Sequence, residues 1–262
     1  EFGQVLIEIM RIGICGSDIH VYFTSYPVVQ GHEVSGKIVG IGKGVKGLNV
    51  GDKVTVQPQV TCGICYQCTH GRYNICENLK VMGFHTTGMA SEYFSIDAEK
   101  VLKLPDNISY DEGAMVEPLA VAVHAVQMDG SVKGKKILVL GAGPIGNLVA
   151  QAARANGAEL VMIADISEYR LDMASKCGID FCVNTRSDNL ANRLVSNFGK
   201  YGADLIIECA GAGDTINYAI NNARKGTSII VVGVFSDKLT VDLSLLQDRE
   251  LKLIGSLMYR KE

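Results

Sequence analysis

Lys136-Ile137-Leu138-Val139-Leu140-Gly141-Ala142-Gly143-Pro144-Ile145-Gly146 is the stretch on which the fold turns. Ile137 to Leu140 is a short unbroken apolar run, the signature of a strand buried on both faces. The glycine hexad follows it directly, and the sequence after it reads as a helix. In that setting Gly141 permits a tight turn, Gly143 lets a pyrophosphate approach the backbone, and Gly146 lets the helix lie close to the sheet. The free N–H groups of the helix start would meet the pyrophosphate, with Pro144 and Ile145 in the same loop. The next strand, Leu160 to Ala164, ends at Asp165, 24 positions after Gly141. A carboxylate there accepts from both ribose hydroxyls and repels a 2′-phosphate, which favours NAD over NADP. Arg170 stands nearby and could pair with that phosphate.

Working outward, the C-terminal half alternates short apolar strands with longer amphipathic stretches. Strands are expected at Lys136–Leu140, Leu160–Ala164, Phe181–Val183, Leu205–Glu208, Ser228–Val232 and Leu251–Ile254. Helices are expected at Ile145–Asn156, Tyr169–Lys176 and Asn189–Phe198. Strands spaced by helices mean a parallel sheet covered on both faces. The N-terminal part has another texture, with short strands broken by glycines: Val5–Ile9, Val34–Val39, Lys53–Val56 and Glu92–Ile96. It reads as a mostly antiparallel domain around site-forming loops. Asp111 to Met128 reads as a helical bridge, with Pro118 at a kink or helix start. The expected division is 1–123 and 124–262.

Composition narrows the function. The 262 residues carry 47% hydrophobic and 20% charged side chains, enough apolar material for a core. Lys plus Arg is 25 against 28 Asp plus Glu, a formal net charge of −3, which argues against an electrostatic nucleic-acid binder. Apolar runs stay short of the length of a membrane span. Both ends look cut, the chain entering in mid-strand and stopping at Arg260-Lys261-Glu262. Of 8 cysteines, Cys62, Cys65, Cys68 and Cys76 lie within one short stretch. Four thiolates at that spacing make a closed tetrahedral shell suited to structural zinc, a ligand set that iron–sulfur clusters share. Disulfides are the alternative, disfavoured by a cytoplasmic reading. Cys177, Cys182 and Cys209 read as buried small hydrophobes, Cys209 near the cofactor.

Further ligand types stand in Gly13-Ile14-Cys15-Gly16-Ser17-Asp18-Ile19-His20, in Gly31-His32-Glu33 and in Val116-Glu117-Pro118. Composition alone does not bring them together. With the cysteine cluster and the glycine hexad in this order, however, the chain from about residue 3 to 260 resembles the zinc-dependent medium-chain alcohol/polyol dehydrogenases, most of all the sorbitol (polyol) branch. The resemblance implies an α/β protein, a GroES-like mainly β catalytic domain followed by a Rossmann doubly wound parallel-sheet domain. It implies one structural and one catalytic zinc per subunit, with NAD as cofactor. Cys15, His32 and Glu33 match the catalytic-zinc ligands, and Glu117 matches a ligand or the holder of the zinc's water. In alcohol dehydrogenases of this family a third cysteine falls where Glu117 stands, so the pattern is the polyol one.

Ser17 and His20 fall at the family's proton-relay positions, while Asp18 reads as orienting the loop rather than reacting. Zinc is a Lewis acid that lowers an alcohol's pKa, Ser17 and His20 carry the proton outward, and NAD takes the hydride. The expected reaction is oxidation of a secondary hydroxyl of a polyol to a ketose. The rivals are threonine or butanediol as substrate, or a non-enzymatic NAD-binding relative. The family is commonly dimeric or tetrameric, with cofactor domains pairing edge to edge. Relative to it, the chain resembles a member without the first strands of the catalytic domain and its C-terminal return. The 17 positions from Cys15 to His32 are fewer than usual, with Phe23 to Tyr26 as a short loop or a splice.

Overall fold

The chain divides into two units, Glu1–Pro118 and Leu119–Lys261. The computed structural model describes residues 1–24 and 28–261, and of residues 20, 21, 23 and 24 it gives the backbone alone. Ser25 and Tyr26 of the expected junction, and the His20 side chain, lie outside the described residues.

The first unit opens with β1 (Gln4–Ile12), α1 (Gly16–Thr24), β2 (Val34–Ile41), β3 (Lys53–Val56) and β4 (Gln59–Val60). It continues through α2 (Tyr66–Thr69), β5 (Lys80–Val81), β6 (Tyr93–Asp97), β7 (Val101–Lys103) and α3 (Tyr110–Ala114). Among the described residues β6-β1-β2-β3-β7 form one sheet in that order, with every pairing antiparallel. Two-residue alternation decides which side chains face inward. Val5 and Ile7 of β1, Val34 and Ile38 of β2, and Val54 and Val56 of β3 bury against Met89, Ile96 and Val101. The pairing of β1 with β2 slips twice, between Leu6 and Ile7 and between Ile9 and Arg11. Such bulges twist a strand and re-aim the chain beyond it, here the segment that carries Cys15.

The helix expected over Asp111–Met128 is two helices, α3 and α4 (Val116–Gln127), separated at Met115. Ser109 caps α3 with a reciprocal pair of bonds to Glu112. Pro118 sits in the first turn of α4, where its missing N–H leaves no bond unmade. The expected boundary after residue 123 and the observed one after Pro118 both fall within α4.

The second unit runs β8 (Lys136–Leu140), α5 (Pro144–Ala155), β9 (Leu160–Asp165), α6 (Glu168–Lys176), β10 (Phe181–Asn184) and α7 (Leu190–Phe198). Then come β11 (Leu205–Glu208), α8 (Gly213–Asn222), β12 (Ser228–Val231), α9 (Leu243–Asp248) and β13 (Lys252–Gly255). The sheet order is β10-β9-β8-β11-β12-β13, parallel throughout. That is the Rossmann order, with its reversal between β8 and β11. Alternate residues of β8 feed two cores. Ile137 and Val139 pack with Ala125, Val149 and Leu171, while Leu138 and Leu140 pack with Leu194, Phe198 and Ile216. The helices α1, α8 and α9 are not among the three named from the sequence; Asp242 caps α9, its side chain accepting the N–H groups of Ser244 and Leu245.

Ile207, fully buried in β11 between β8 and β12, is the natural probe of this core. Ile207→Ala is expected to cost about 2–5 kcal/mol, read as a lower urea midpoint for the unit it belongs to.

Candidate functional site

The segment after β1 and the segment before β2 are joined backbone to backbone, Gly13 N–H donating to the Glu33 carbonyl at 2.7 Å. A side chain at Gly13 would displace the Glu33 carboxylate, since a Cβ would lie 2.2 Å from Glu33 Oε2. The glycine therefore makes the space in which the Glu33 carboxylate sits. Asp18, in the first turn of α1, returns its Oδ2 to accept the Cys15 N–H at 2.8 Å, fixing the turn that presents the thiol. On the other side, Gly31 is held by Met89 N–H bonding its carbonyl at 2.9 Å, so His32 and Glu33 enter β2 from an anchored turn.

The result is a compact trio. Ligand atoms of Cys15, His32 and Glu33 all lie within 4.8 Å of one another, with His32 and Glu33 buried. Behind His32, Asp18 Oδ1 stands 3.7 Å from Nδ1. Both atoms are buried, and neither has a hydrogen-bond partner among the described residues. A carboxylate behind one ring nitrogen orients the ring and leaves the other nitrogen to face a metal. Glu117 is buried in the first turn of α4, outside the trio but close enough for its charge to act on the Cys15 thiol. Burial pushes the Cys15 thiol up, the Ser17 hydroxyl and N–H oppose it, and Glu33 and Glu117 add to it. Burial likewise raises the Glu33 carboxyl, against the pull of His32 and a bond to Cys15. A divalent cation is what such a set of desolvated, mutually repelling donors fits.

The second group is the expected cysteine cluster. The sulfurs of Cys62, Cys65, Cys68 and Cys76 also lie within 4.8 Å of one another. Among the described residues no disulfide joins any cysteine. N–H groups of Ile64 and Cys65 hold the Cys62 thiol down to about 6, whereas burial and the neighbouring sulfurs push Cys68 up to about 12. Four sulfurs close the shell and leave no place for a substrate, the form of a structural zinc site.

In the second unit the glycine loop has the geometry its sequence implies. Gly141 has φ +97°, and a Cβ at Gly146 would lie 1.8 Å from the Gly141 carbonyl oxygen. A Cβ at Gly143, the residue capping α5, would meet nothing within 4 Å, so the approach to the helix N-terminus is open. Pro144 and Ile145 are the first residues of α5. Asp165 ends β9 and is already engaged: its oxygens accept Ala142 N–H at 2.7 Å and Ser167 N–H at 2.8 Å. Arg170 lies 3.7 Å from the same carboxylate. Sequence reasoning overlooked Glu208, a wholly buried carboxylate at the end of β11. The signal available was an acidic residue closing an apolar strand just before Cys209-Ala210-Gly211.

Residues 1–106 match the alcohol dehydrogenase GroES-like domain and residues 144–262 the zinc-binding dehydrogenase domain. The chain is 34% identical over 252 residues to an L-threonine 3-dehydrogenase of Pyrococcus furiosus, covering 93% of this chain and 72% of that one. The chain belongs to the zinc-dependent medium-chain dehydrogenase family. It is also 32% identical to a sorbitol dehydrogenase of Bacillus subtilis, over 98% of this chain and 75% of that one. The crystal structure of galactitol-1-phosphate dehydrogenase from Escherichia coli superposes with a TM-score of 0.91 at 31% identity, covering 99% of this chain and 77% of that one.

Membership makes the chain a zinc- and NAD(H)-binding oxidoreductase, with the GroES-like fold in the first unit and the Rossmann fold in the second. It does not single out the sorbitol branch, since relatives named for threonine, sorbitol and galactitol-1-phosphate stand at alike identity. Among the described residues no helix is long and apolar enough to cross a membrane.

The two metal groups can be told apart by experiment. Asp18→Ala is expected to weaken the zinc held by His32 about 10–100-fold and leave the four-cysteine zinc in place, as read by competition with a chromogenic chelator. In chelator-treated protein at pH 7, the lowered Cys62 thiol is the more ionised of the pair and the raised Cys68 thiol the less. Alkylation followed by mass spectrometry is therefore expected to label Cys62 well before Cys68; the reverse order contradicts the assignment.

Proposed function

We propose that this protein oxidises a secondary hydroxyl of a polyol of the sorbitol or xylitol kind to the ketose, reversibly, with NAD. The observation that carries the reading is the trio of Cys15, His32 and Glu33 with Asp18 behind the imidazole. One thiolate, one imidazole and one carboxylate leave a tetrahedral zinc a free position. Zinc there supplies Lewis acidity toward an alcohol, and NAD supplies the hydride acceptor.

The chain's own residues divide the work. Cys15, His32 and Glu33 hold the catalytic zinc, with Glu117 as a further ligand or as the acceptor that orients a water beside it. Ser17, whose hydroxyl and N–H bond the Cys15 sulfur, takes the hydroxyl proton of the alcohol and passes it to His20. Gly141, Gly143, Pro144, Ile145 and Gly146 receive the pyrophosphate. Asp165 receives the adenosine ribose and, with its negative charge, disfavours a 2′-phosphate, while Arg170 is held to it. Oxygen donors from Glu33 and Glu117 in place of a further cysteine make the metal harder, which suits a substrate offering two adjacent oxygens. Cys62, Cys65, Cys68 and Cys76 hold the structural zinc. Assembly as a homodimer or homotetramer in the cytoplasm completes the reading.

The second reading keeps the chemistry and changes the alcohol to threonine or butanediol, favoured by the likeness to a protein named L-threonine 3-dehydrogenase. Zinc per chain measured on purified protein, with NAD reduction over sorbitol, xylitol, threonine and 2,3-butanediol, separates them. Two zinc ions and turnover on a polyol are the expected result. Turnover confined to threonine or butanediol moves the substrate, and a single zinc with no turnover on any alcohol sinks the enzyme reading. Cys15→Ser should remove one zinc and all turnover.

A further inference from the structure

Glu208 is buried to 0% exposure at the C-terminal end of β11, beside the point where the strand order reverses. Its Oε1 accepts the N–H of Ala210 at 2.8 Å and of Gly211 at 2.9 Å, and the Thr215 hydroxyl of α8 lies 2.7 Å from it. Its backbone carbonyl accepts the N–H of Val232 at 2.9 Å and of Gly233 at 3.0 Å. One residue thus fastens the turn after β11, the first turn of α8 and the end of β12.

Those segments are packed without room for side chains. A Cβ at Gly233 would lie 2.3 Å from Gly211 N and 2.6 Å from Glu208 Oε2, and one at Gly211 would lie 2.4 Å from the Val234 carbonyl oxygen. A Cβ at Gly141 would lie 2.9 Å from Ala210 N, the same N–H that Glu208 holds. The phosphate-binding loop therefore rests on a turn whose shape the Glu208 carboxylate sets.

In a sheet of this order the dinucleotide crosses the switch point at the carboxyl ends of the strands. Asp165 marks the adenosine side at β9, so the other half of the cofactor falls on the side of β11 and β12. We propose that Glu208 is a positioning residue for NAD, holding the ends of β11 and β12 and, through Ala210, the Gly141 turn in the shape that receives it. Oε2 is buried and has no partner among the described residues.

The test compares Glu208→Ala, Glu208→Gln and Thr215→Val with the wild type, titrating NADH by its fluorescence on the zinc-loaded protein and measuring KM for NAD and for the alcohol separately. Glu208→Gln keeps an oxygen for all three donors. Glu208→Ala should raise the NADH dissociation constant about tenfold or more, because the Gly141 turn loses the support that Glu208 gives it through Ala210. The same variant should raise KM for NAD and leave KM for the alcohol and the zinc content unchanged. Glu208→Gln should restore binding to within about threefold of wild type, and Thr215→Val should fall between the two. Wild-type affinity in Glu208→Ala, or a Gln variant as weak as the Ala variant, overturns the assignment. Should Glu208→Ala fail to fold, Thr215→Val decides, and wild-type affinity there overturns the assignment. A wild-type protein that takes no NADH fails the dehydrogenase reading itself, a result distinct from either.

Discussion

The parallel pairing of β8 with β11 is the constraint on which the second unit depends. Leu205 to Glu208 lie against Ile137 to Leu140 residue for residue. That register reverses the strand order and opens a crevice at the carboxyl ends of the strands. It also fixes which groups stand at the rim. Cys209 N–H bonds the Leu140 carbonyl at 2.8 Å, which carries the turn after β11 directly under the glycine loop. From there the requirements are steric. Gly141 and Gly146 are glycines because backbone from the opposite turn, or from their own loop, occupies the volume of a Cβ.

The metal trio of the first unit is built by the same means. One backbone hydrogen bond, from Gly13 to the Glu33 carbonyl, brings the two segments together, and a missing Cβ makes space for the carboxylate between them. Asp18 acts twice, one oxygen fixing the Cys15 turn and the other standing behind His32. The donors that result are desolvated and crowded, which raises the Cys15 thiol and the Glu33 carboxyl in the bare protein. Zinc would be held by the ionised forms of both groups, so its binding would weaken as the pH falls.

Much of this was legible in the sequence, for identifiable reasons. A strand, a glycine hexad, a helix and a strand ending in aspartate occupy one continuous stretch, so local pattern alone specifies the nucleotide-binding half. The four cysteines are likewise close in sequence, and spacing alone brings them together. The trio is different. Cys15 and His32 belong to segments that meet only through sheet pairing, and only the resemblance to a family placed them together. Glu208 was read merely as the last residue of a strand, because nothing local distinguishes a buried carboxylate from an exposed one. The stretch Asp111–Met128 reads as a helical bridge with a kink or helix start at Pro118, and the structure starts the second helix at Val116, two residues before that proline.

X-ray absorption at the zinc edge of the fully loaded protein tests the central claim most directly, since sulfur ligands at about 2.3 Å separate cleanly from nitrogen and oxygen at about 2.0–2.1 Å. Two zinc ions per chain are expected, one with four sulfurs and one with a single sulfur beside nitrogen and oxygen. A Cys15→Ser variant should show the all-sulfur site alone. A wild-type spectrum of sulfur ligands only would contradict the account, for it would leave the trio of Cys15, His32 and Glu33 without its metal.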